Sequence, residues 1–259
     1  MDVEKLLLVF ILISLFAVNY SFLDEKITGF LTDNHVEEIH VDRIIDGDTI
    51  KSGNQSIRLL GINTPERGEK YYPEAKKFLE ELIFNKTVSL EFGKDETDRY
   101  GRTLAYIFYN GENINQKIIG DGFANYYFLG NDKYYSSFKE SWEKCVAKSI
   151  NFCEKSDDKC SSCIVLNDLN YKSQEASFQN KCNFSCDLSK WGIKDEGRKK
   201  FAFPNFILDA NSKFVVKVGN GTNTKETLFW NQKDYVWTKT GDTLFLRDKE
   251  GKLVLWNSY

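Results

Sequence analysis

Side chains able to bind a cation, move a proton or grip an anion gather in three short stretches. Asp46-Gly47-Asp48-Thr49 sets two carboxylates around a glycine. Arg58-Leu59-Leu60 leads to Asn63-Thr64-Pro65-Glu66, and Asp98-Arg99-Tyr100-Gly101-Arg102 adds a second arginine further on. Acid, acid, arginine, acid, arginine suits cleavage of a phosphodiester with a hard metal ion. That reaction needs a water deprotonated as it attacks, the extra charge on pentacoordinate phosphorus neutralised, and the leaving oxygen stabilised. Asp48 can bind a hard cation through oxygen, with backbone carbonyls near Thr64 completing the shell. Glu66, held just after Pro65, can orient or deprotonate water. Arg58 and Arg102 can each present a planar fork to phosphate oxygens, a geometry lysine matches less well. Each piece alone has a plainer reading: a turn, a solvated strand arginine, a helix start. Their joint order lifts the chemical reading above those.

The elements that must position these groups can be read from pattern. Residues 40–50 alternate and then turn at Asp46-Gly47, and 48–51 with 55–60 form a hairpin across Ser52-Gly53-Asn54. Pro73 opens an amphipathic helix to Phe84, with Ala75, Phe78, Leu79, Leu82 and Ile83 on one face. Strands follow at 87–92 and 103–109, the second closed by the hairpin turn Asn110-Gly111. A short helix over 114–119 stops near Gly120 or Gly122, and apolar spacing predicts a helix over about 133–149. Strands, a helix, strands, then helices suit a five-stranded OB-fold barrel with helices packed on it. After Cys186 the chain turns strand-like and aromatic, at 201–206, 213–218, 227–230, 242–247 and 252–256. Gly, Asn and Asp clusters between these runs suggest an all-β sandwich. The fold class is therefore mainly β with helices (α+β): a barrel followed by an immunoglobulin-like sandwich.

Composition sets limits. A chain of 259 residues allows one or two domains, and 41% hydrophobic with 28% charged residues argues against disorder. Residues 36–153 carry 16 basic against 19 acidic side chains, so phosphate contacts must come from a few placed cations rather than a bulk field. His35 and His40 precede the motifs and are given no role.

Leu6 to Val18 is unbroken apolar or small. It is short for a membrane span, which needs roughly 20 residues, and fits the core of a signal peptide. Extended to Leu23 it serves as a short anchor. Residues 1–23 are thus read as a signal peptide or an N-terminal membrane anchor, and the chain as extracellular or membrane-anchored facing outward. Six cysteines (Cys145, Cys153, Cys160, Cys163, Cys182 and Cys186) crowd one window. Export favours three disulfides, with Cys145–Cys153 one local pair pinning the last barrel helix. The spacing of Cys160-Ser161-Ser162-Cys163 and Cys182-Asn183-Phe184-Ser185-Cys186 leaves a four-cysteine zinc site as the rival.

The three chemical stretches, together with Tyr71-Tyr72-Pro73-Glu74-Ala75, resemble the thermonuclease (staphylococcal-nuclease-like) family over about residues 36–153. That resemblance implies an OB-fold endonuclease, calcium-dependent, cleaving DNA and RNA with little sequence preference. It implies Asp48 as a calcium ligand, Thr64 as a backbone-carbonyl ligand, and Asp46 as a nearby acid of the metal site. It further implies Glu66 as general base, Arg58 and Arg102 as the phosphate-binding arginines, and Arg99 and Tyr100 as substrate contacts. Two departures stand out. Asn63 occupies the place of a second calcium-binding aspartate, which removes one charge and admits Mg2+ or another divalent ion. Phe128 stands where a nucleotide-stacking tyrosine is expected, leaving Tyr126 or Tyr127 as substitutes.

Asp187-Leu188-Ser189-Lys190-Trp191 and Gly241-Asp242-Thr243-Leu244-Phe245-Leu246-Arg247-Asp248 resemble the lamin-tail domain over about 164–259, after a Cys-containing linker at 154–163. It carries no catalytic constellation. Trp191, Trp230, Trp237 and Trp256 read as core or strand-pair aromatics, and its expected role is contact with a cell-envelope or protein partner. The alternative to a nuclease is a catalytically weakened nucleic-acid-binding module beside an adhesion or targeting sandwich.

Overall fold

The computed structural model describes residues 36–127 and 132–259. The leading apolar segment and Phe128 lie outside the described residues. The first half of the described chain is built from β1 (Val36–His40), β2 (Arg43–Asp46), β3 (Thr49–Ser52), β4 (Gln55–Leu59) and β5 (Ile62–Asn63). Helix α1 (Tyr72–Ile83), β6 (Thr87–Thr97), β7 (Thr103–Tyr109) and β8 (Glu112–Asn113) follow, then α2 (Ile114–Gly120), β9 (Asn125–Tyr126) and α3 (Tyr135–Lys148). The large sheet runs in the order β1-β6-β7-β4-β3-β2, with β8 paired to β7, and curls into a half-barrel. Strands β4 and β7 run parallel, with Arg58 opposite Leu104. This register carries Arg102, just before β7, back toward the strand that bears Arg58.

Local chemistry explains these elements. Ile50, Ile57, Leu59, Leu90 and Ile107 are all buried inside the curl. Helix α1 starts with Pro73 in its first turn and buries Ala75, Leu79 and Ile83 at helical spacing. Asn110 and Gly111 both take positive φ, as the two-residue hairpin turn requires.

The second half comprises β10 (Ile164–Asn170), β11 (Glu175–Asn180), β12 (Cys186–Asp187), β13 (Gly192–Lys194), β14 (Lys200–Ala202) and β15 (Ile207–Leu208). It ends with β16 (Lys213–Val218), β17 (Thr227–Trp230), β18 (Thr243–Arg247) and β19 (Leu253–Ser258). Sheets β10-β11-β16-β17 and β14-β13-β18-β19 form an immunoglobulin-like sandwich, with β12 and β15 as a separate pair. The strand expected over 201–206 is shorter, because Pro204 cannot donate to a ladder and Phe203 and Phe206 turn into the core. Trp191, Trp230 and Trp237 are buried in that core.

All six cysteines are paired: Cys145–Cys153, Cys160–Cys186 and Cys163–Cys182. The disulfide reading holds, and no thiolate is left for zinc. Cys145–Cys153 ties α3 to the turn that follows it. The other two bonds fasten 160–163 to the sandwich, whose core includes Cys160 and Cys163.

The two halves share a core. Phe245 and Leu253 of the sandwich belong to the same buried cluster as Tyr126, Trp142 and Phe152. Trp142 meets Phe245 edge-to-face at 5.2 Å, and the Tyr126 and Thr243 hydroxyls bond at 3.0 Å across the boundary. The Arg247 guanidinium lies 3.7 Å over the Phe152 ring and donates to the Phe152 carbonyl.

Candidate active site

The Asp46-Gly47-Asp48 turn is pressed against two elements at once. A Cβ on Gly47 would lie 2.9 Å from both the Ala75 side chain on α1 and the Thr64 methyl. Only glycine lets the turn sit there, which brings Asp48 onto the Thr64 loop. Asp48 is buried, and its Oδ2 accepts from the Thr64 amide at 3.1 Å and the Thr64 hydroxyl at 3.0 Å. Arg58 Nη1 pairs with the same oxygen at 2.7 Å, and Thr49 donates to Oδ1. Burial alone would raise the Asp48 carboxyl, but Arg58 and the Thr64 donors outweigh it and hold it below the usual carboxylate range. Asp46 takes the opposite course. Burial, then the Asp48 charge beside it, push it up to about 6. Two carboxylates thus share a pocket with one guanidinium.

Arg58 is fixed by its fork. Nη1 also reaches the Asp48 and Leu59 carbonyls, and Nη2 reaches the Ile62 carbonyl at 2.9 Å and Asn63 Oδ1 at 3.4 Å. The loop it grips is tight. Gly61 has φ +69°, and a Cβ there would lie 2.7 Å from the Phe138 ring. Asn115, fully buried, supports the same loop: its Nδ2 donates to the Leu60 carbonyl while its Oδ1 accepts from the Ile107 amide.

Arg102 is oriented by Asp98, with Nε and Nη2 each 2.7 Å from Oδ2. Tyr100 is 64% exposed, with the guanidiniums of Arg99 and Arg102 at 4.9 and 5.6 Å from its ring centroid. An exposed aromatic ring with two cations close to it suits contact with a base and its phosphates. Tyr126 does not supply such a face. It is fully buried between the halves, edge-on to Trp142 and Trp256 and bonded to Thr243, so the reading of Tyr126 as a stacking residue is corrected.

Several residues at the site escaped the sequence reading, because they come from the other half of the chain. The β13–β14 loop, Asp195 to Lys199, lies on the candidate site. The Arg198 Nε sits 2.8 Å from the Glu66 carboxylate, and Lys200 pairs with Glu69. The Asn63 Nδ2 donates to the Gly197 carbonyl at 2.6 Å, and the Asn125 Nδ2 to the Glu196 carbonyl at 3.0 Å. Glu69 in turn accepts from the Glu66 amide. Burial would raise Glu69, but Lys194 and Lys200 outweigh it and hold it low, while burial brings Lys194 down to about 8. Four basic residues in seven were the available signal, Lys194 and Arg198 to Lys200, but their target was not legible.

Among the described residues no group of three or more His, Cys, Asp or Glu side chains is arranged to hold a metal. The donors at hand are two carboxylates (Asp46, Asp48), the Asn63 amide oxygen and the Thr64 carbonyl. All are hard oxygens, which fit Ca2+, Mg2+ or Mn2+ rather than a thiophilic ion.

Fold and site define a two-part protein: a curled half-barrel bearing an acid–arginine cluster, with an immunoglobulin-like sandwich docked against it. The family model for staphylococcal nuclease homologues matches residues 56–154, and that for the lamin tail domain matches 161–259. The thermonuclease of Staphylococcus intermedius is 35% identical over 135 residues, 48% of this chain and 80% of the relative. That of Staphylococcus hyicus is 36% identical over 128 residues, 46% of this chain and 76% of the relative. The prophage-derived endonuclease YokF of Bacillus subtilis is 33% identical over 131 residues, 46% of this chain and 44% of the relative. The chain belongs to the staphylococcal nuclease homologue family, with a lamin tail domain following the nuclease fold.

Proposed function

We propose that this chain is a calcium-dependent endonuclease that hydrolyses DNA and RNA with little sequence preference. Family membership makes it a hydrolytic nuclease acting on nucleic acid. The finer reading rests on one observation above others: Asp48 is buried with Asp46 on one side and Arg58 with the Thr64 loop on the other. Asp46, Asp48, the Asn63 amide oxygen and the Thr64 carbonyl would hold the divalent ion. When bound, that ion supplies positive charge opposite the scissile phosphate. Glu66, 39% exposed at its side chain, is open to a water and takes its proton as general base. Arg58 and Arg102 neutralise the charge that grows on the phosphate oxygens. Arg99 and the open Tyr100 ring carry the neighbouring nucleotide.

Secretion or an outward-facing membrane anchor is part of this reading. Three disulfides suit an oxidising compartment. Among the described residues no helix is long and apolar enough to cross a membrane.

The test is hydrolysis of single-stranded DNA and of RNA by residues 24–259, with calcium, with magnesium and with EDTA, beside Glu66→Gln. Calcium restoring cleavage lost in EDTA, and Glu66→Gln removing most of it, supports the reading. DNA retained on a filter but uncut transfers the site to a binding module.

A further inference from the structure

We propose that the β13–β14 loop of the lamin tail domain is a working part of the nuclease site. Arg198 is a positioning residue for Glu66, and Asn63 and Asn125 form the latch that seats the loop. The inference rests on the reading of Glu66 as general base.

Four contacts carry it, and they converge on one short stretch. Asn63 and Asn125 are cross-strand partners in the β5–β9 pair, so their side-chain amides stand side by side. They receive two successive carbonyls of the loop, Gly197 and Glu196. Both asparagines are buried, where an unmatched amide proton is costly. With the loop seated, Arg198 reaches the Glu66 carboxylate and Lys200 reaches Glu69. Glu69 accepts from the Glu66 amide, so the turn from Glu66 to Glu69 is held at both of its carboxylates and through its backbone. A general base must keep its geometry to be effective, and this one sits on a loop rather than on a strand or helix.

The latch also accounts for Asn63. An aspartate there would set a carboxylate oxygen against the Gly197 carbonyl, two acceptors with no proton between them. An amide divides the work. Its nitrogen seats the loop while its oxygen faces the Arg58 side of the site, 3.4 Å from Nη2. The loss of one metal-site charge thus follows from carrying a second domain across the site.

The experiment uses the full chain and three variants, Arg198→Ala, Arg198→Lys and Asn63→Asp. It reads kcat and KM on a single-stranded DNA oligonucleotide with calcium, and amide hydrogen exchange without substrate. Arg198→Ala is expected to lower kcat by about ten- to a hundredfold with KM within about twofold, the size of effect that misplacing a catalytic group produces. Arg198→Lys, keeping the charge without the fork, recovers most of that loss. Exchange rises over 63–71 in Arg198→Ala, and over 195–200 in Asn63→Asp, while α3 stays protected. A raised KM at unchanged kcat would make Arg198 a substrate contact and overturn the positioning role. Unchanged kinetics and exchange would overturn it as well. If the parent chain cuts nothing, the nuclease reading falls, and exchange alone decides whether the loop is latched against the Glu66 turn: a rise confined to those two segments retains the latch, and no rise removes it.

Discussion

Phe245→Ala tests whether the two halves are one folding unit. Phe245 lies on β18 of the sandwich but packs edge-on against Trp142 of α3, at 5.2 Å, inside the cluster that also holds Tyr126, Phe152 and Leu253. Truncating a buried phenylalanine costs about 3–5 kcal/mol through lost burial and the cavity left behind. That is a large share of the roughly 5–15 kcal/mol available to a folded protein. The loss falls on both halves, because the bonds crossing the boundary lose their dry surroundings too: Tyr126 to Thr243, and Arg247 to the Phe152 carbonyl. With a urea slope of about 1–3 kcal/mol per molar, the midpoint drops by roughly 1–2 M or more. Hydrogen exchange across a urea series, read separately over 135–148 and 175–180, is the assay. The expected result is a single transition, with both segments losing protection at the same, lower urea concentration. Two separated transitions, with only 175–180 shifted, would refute the shared core and restore two independent domains.

Three further outcomes follow from the same structure. Burial raises Asp195 to about 6, and burial with the Asp195 charge raises Asp242 to about 7, so the folded chain holds protons that the unfolded chain releases near pH 4. Their stabilising contribution is complete below about pH 4 and is lost as pH rises through 6 to 7, so urea unfolding should weaken by on the order of 3 kcal/mol between pH 5 and pH 8; a flat or rising profile would contradict the burial argument. Tyr100→Ala should raise KM for an oligonucleotide by roughly tenfold with kcat nearly kept, because a stacked base is worth about 1–3 kcal/mol; a fall in kcat alone would remove Tyr100 from substrate binding. Replacing Cys163 and Cys182 by alanine should cost about 2–4 kcal/mol of unfolding free energy, measured by thermal melts against the parent chain; no change in melting would mean that the sandwich does not depend on this bond.

What the sequence determined by itself was whatever depends on neighbours along the chain. Turn chemistry at Ser52-Gly53-Asn54 and Asn110-Gly111, the apolar period of α1 and the order of acids and arginines all concern residues a few positions apart. Those patterns were enough for the barrel with its helices and the sandwich, and for singling out Asp48, Arg58 and Thr64, which lie within one hairpin and the loop after it; that Arg58 pairs with Asp48 itself came only from the structure. Cys145 with Cys153 was legible for the same reason, being eight residues apart. Tertiary structure decided the rest. Asn63 meets Gly197 across 134 positions, and no local pattern reports which loop a side-chain amide will seat. Tyr126 looks like a stacking residue in isolation, yet it is sealed by Thr243 and Trp256, because the sandwich buries apolar surface against α3 and the tyrosine lies in that seam. Arg198 and Lys200 carry no local signal of their targets; the docked domains set them against Glu66 and Glu69, where their charges become specific. Hydrophobic burial between the halves fixes where they meet, and that placement determines which polar groups face the site.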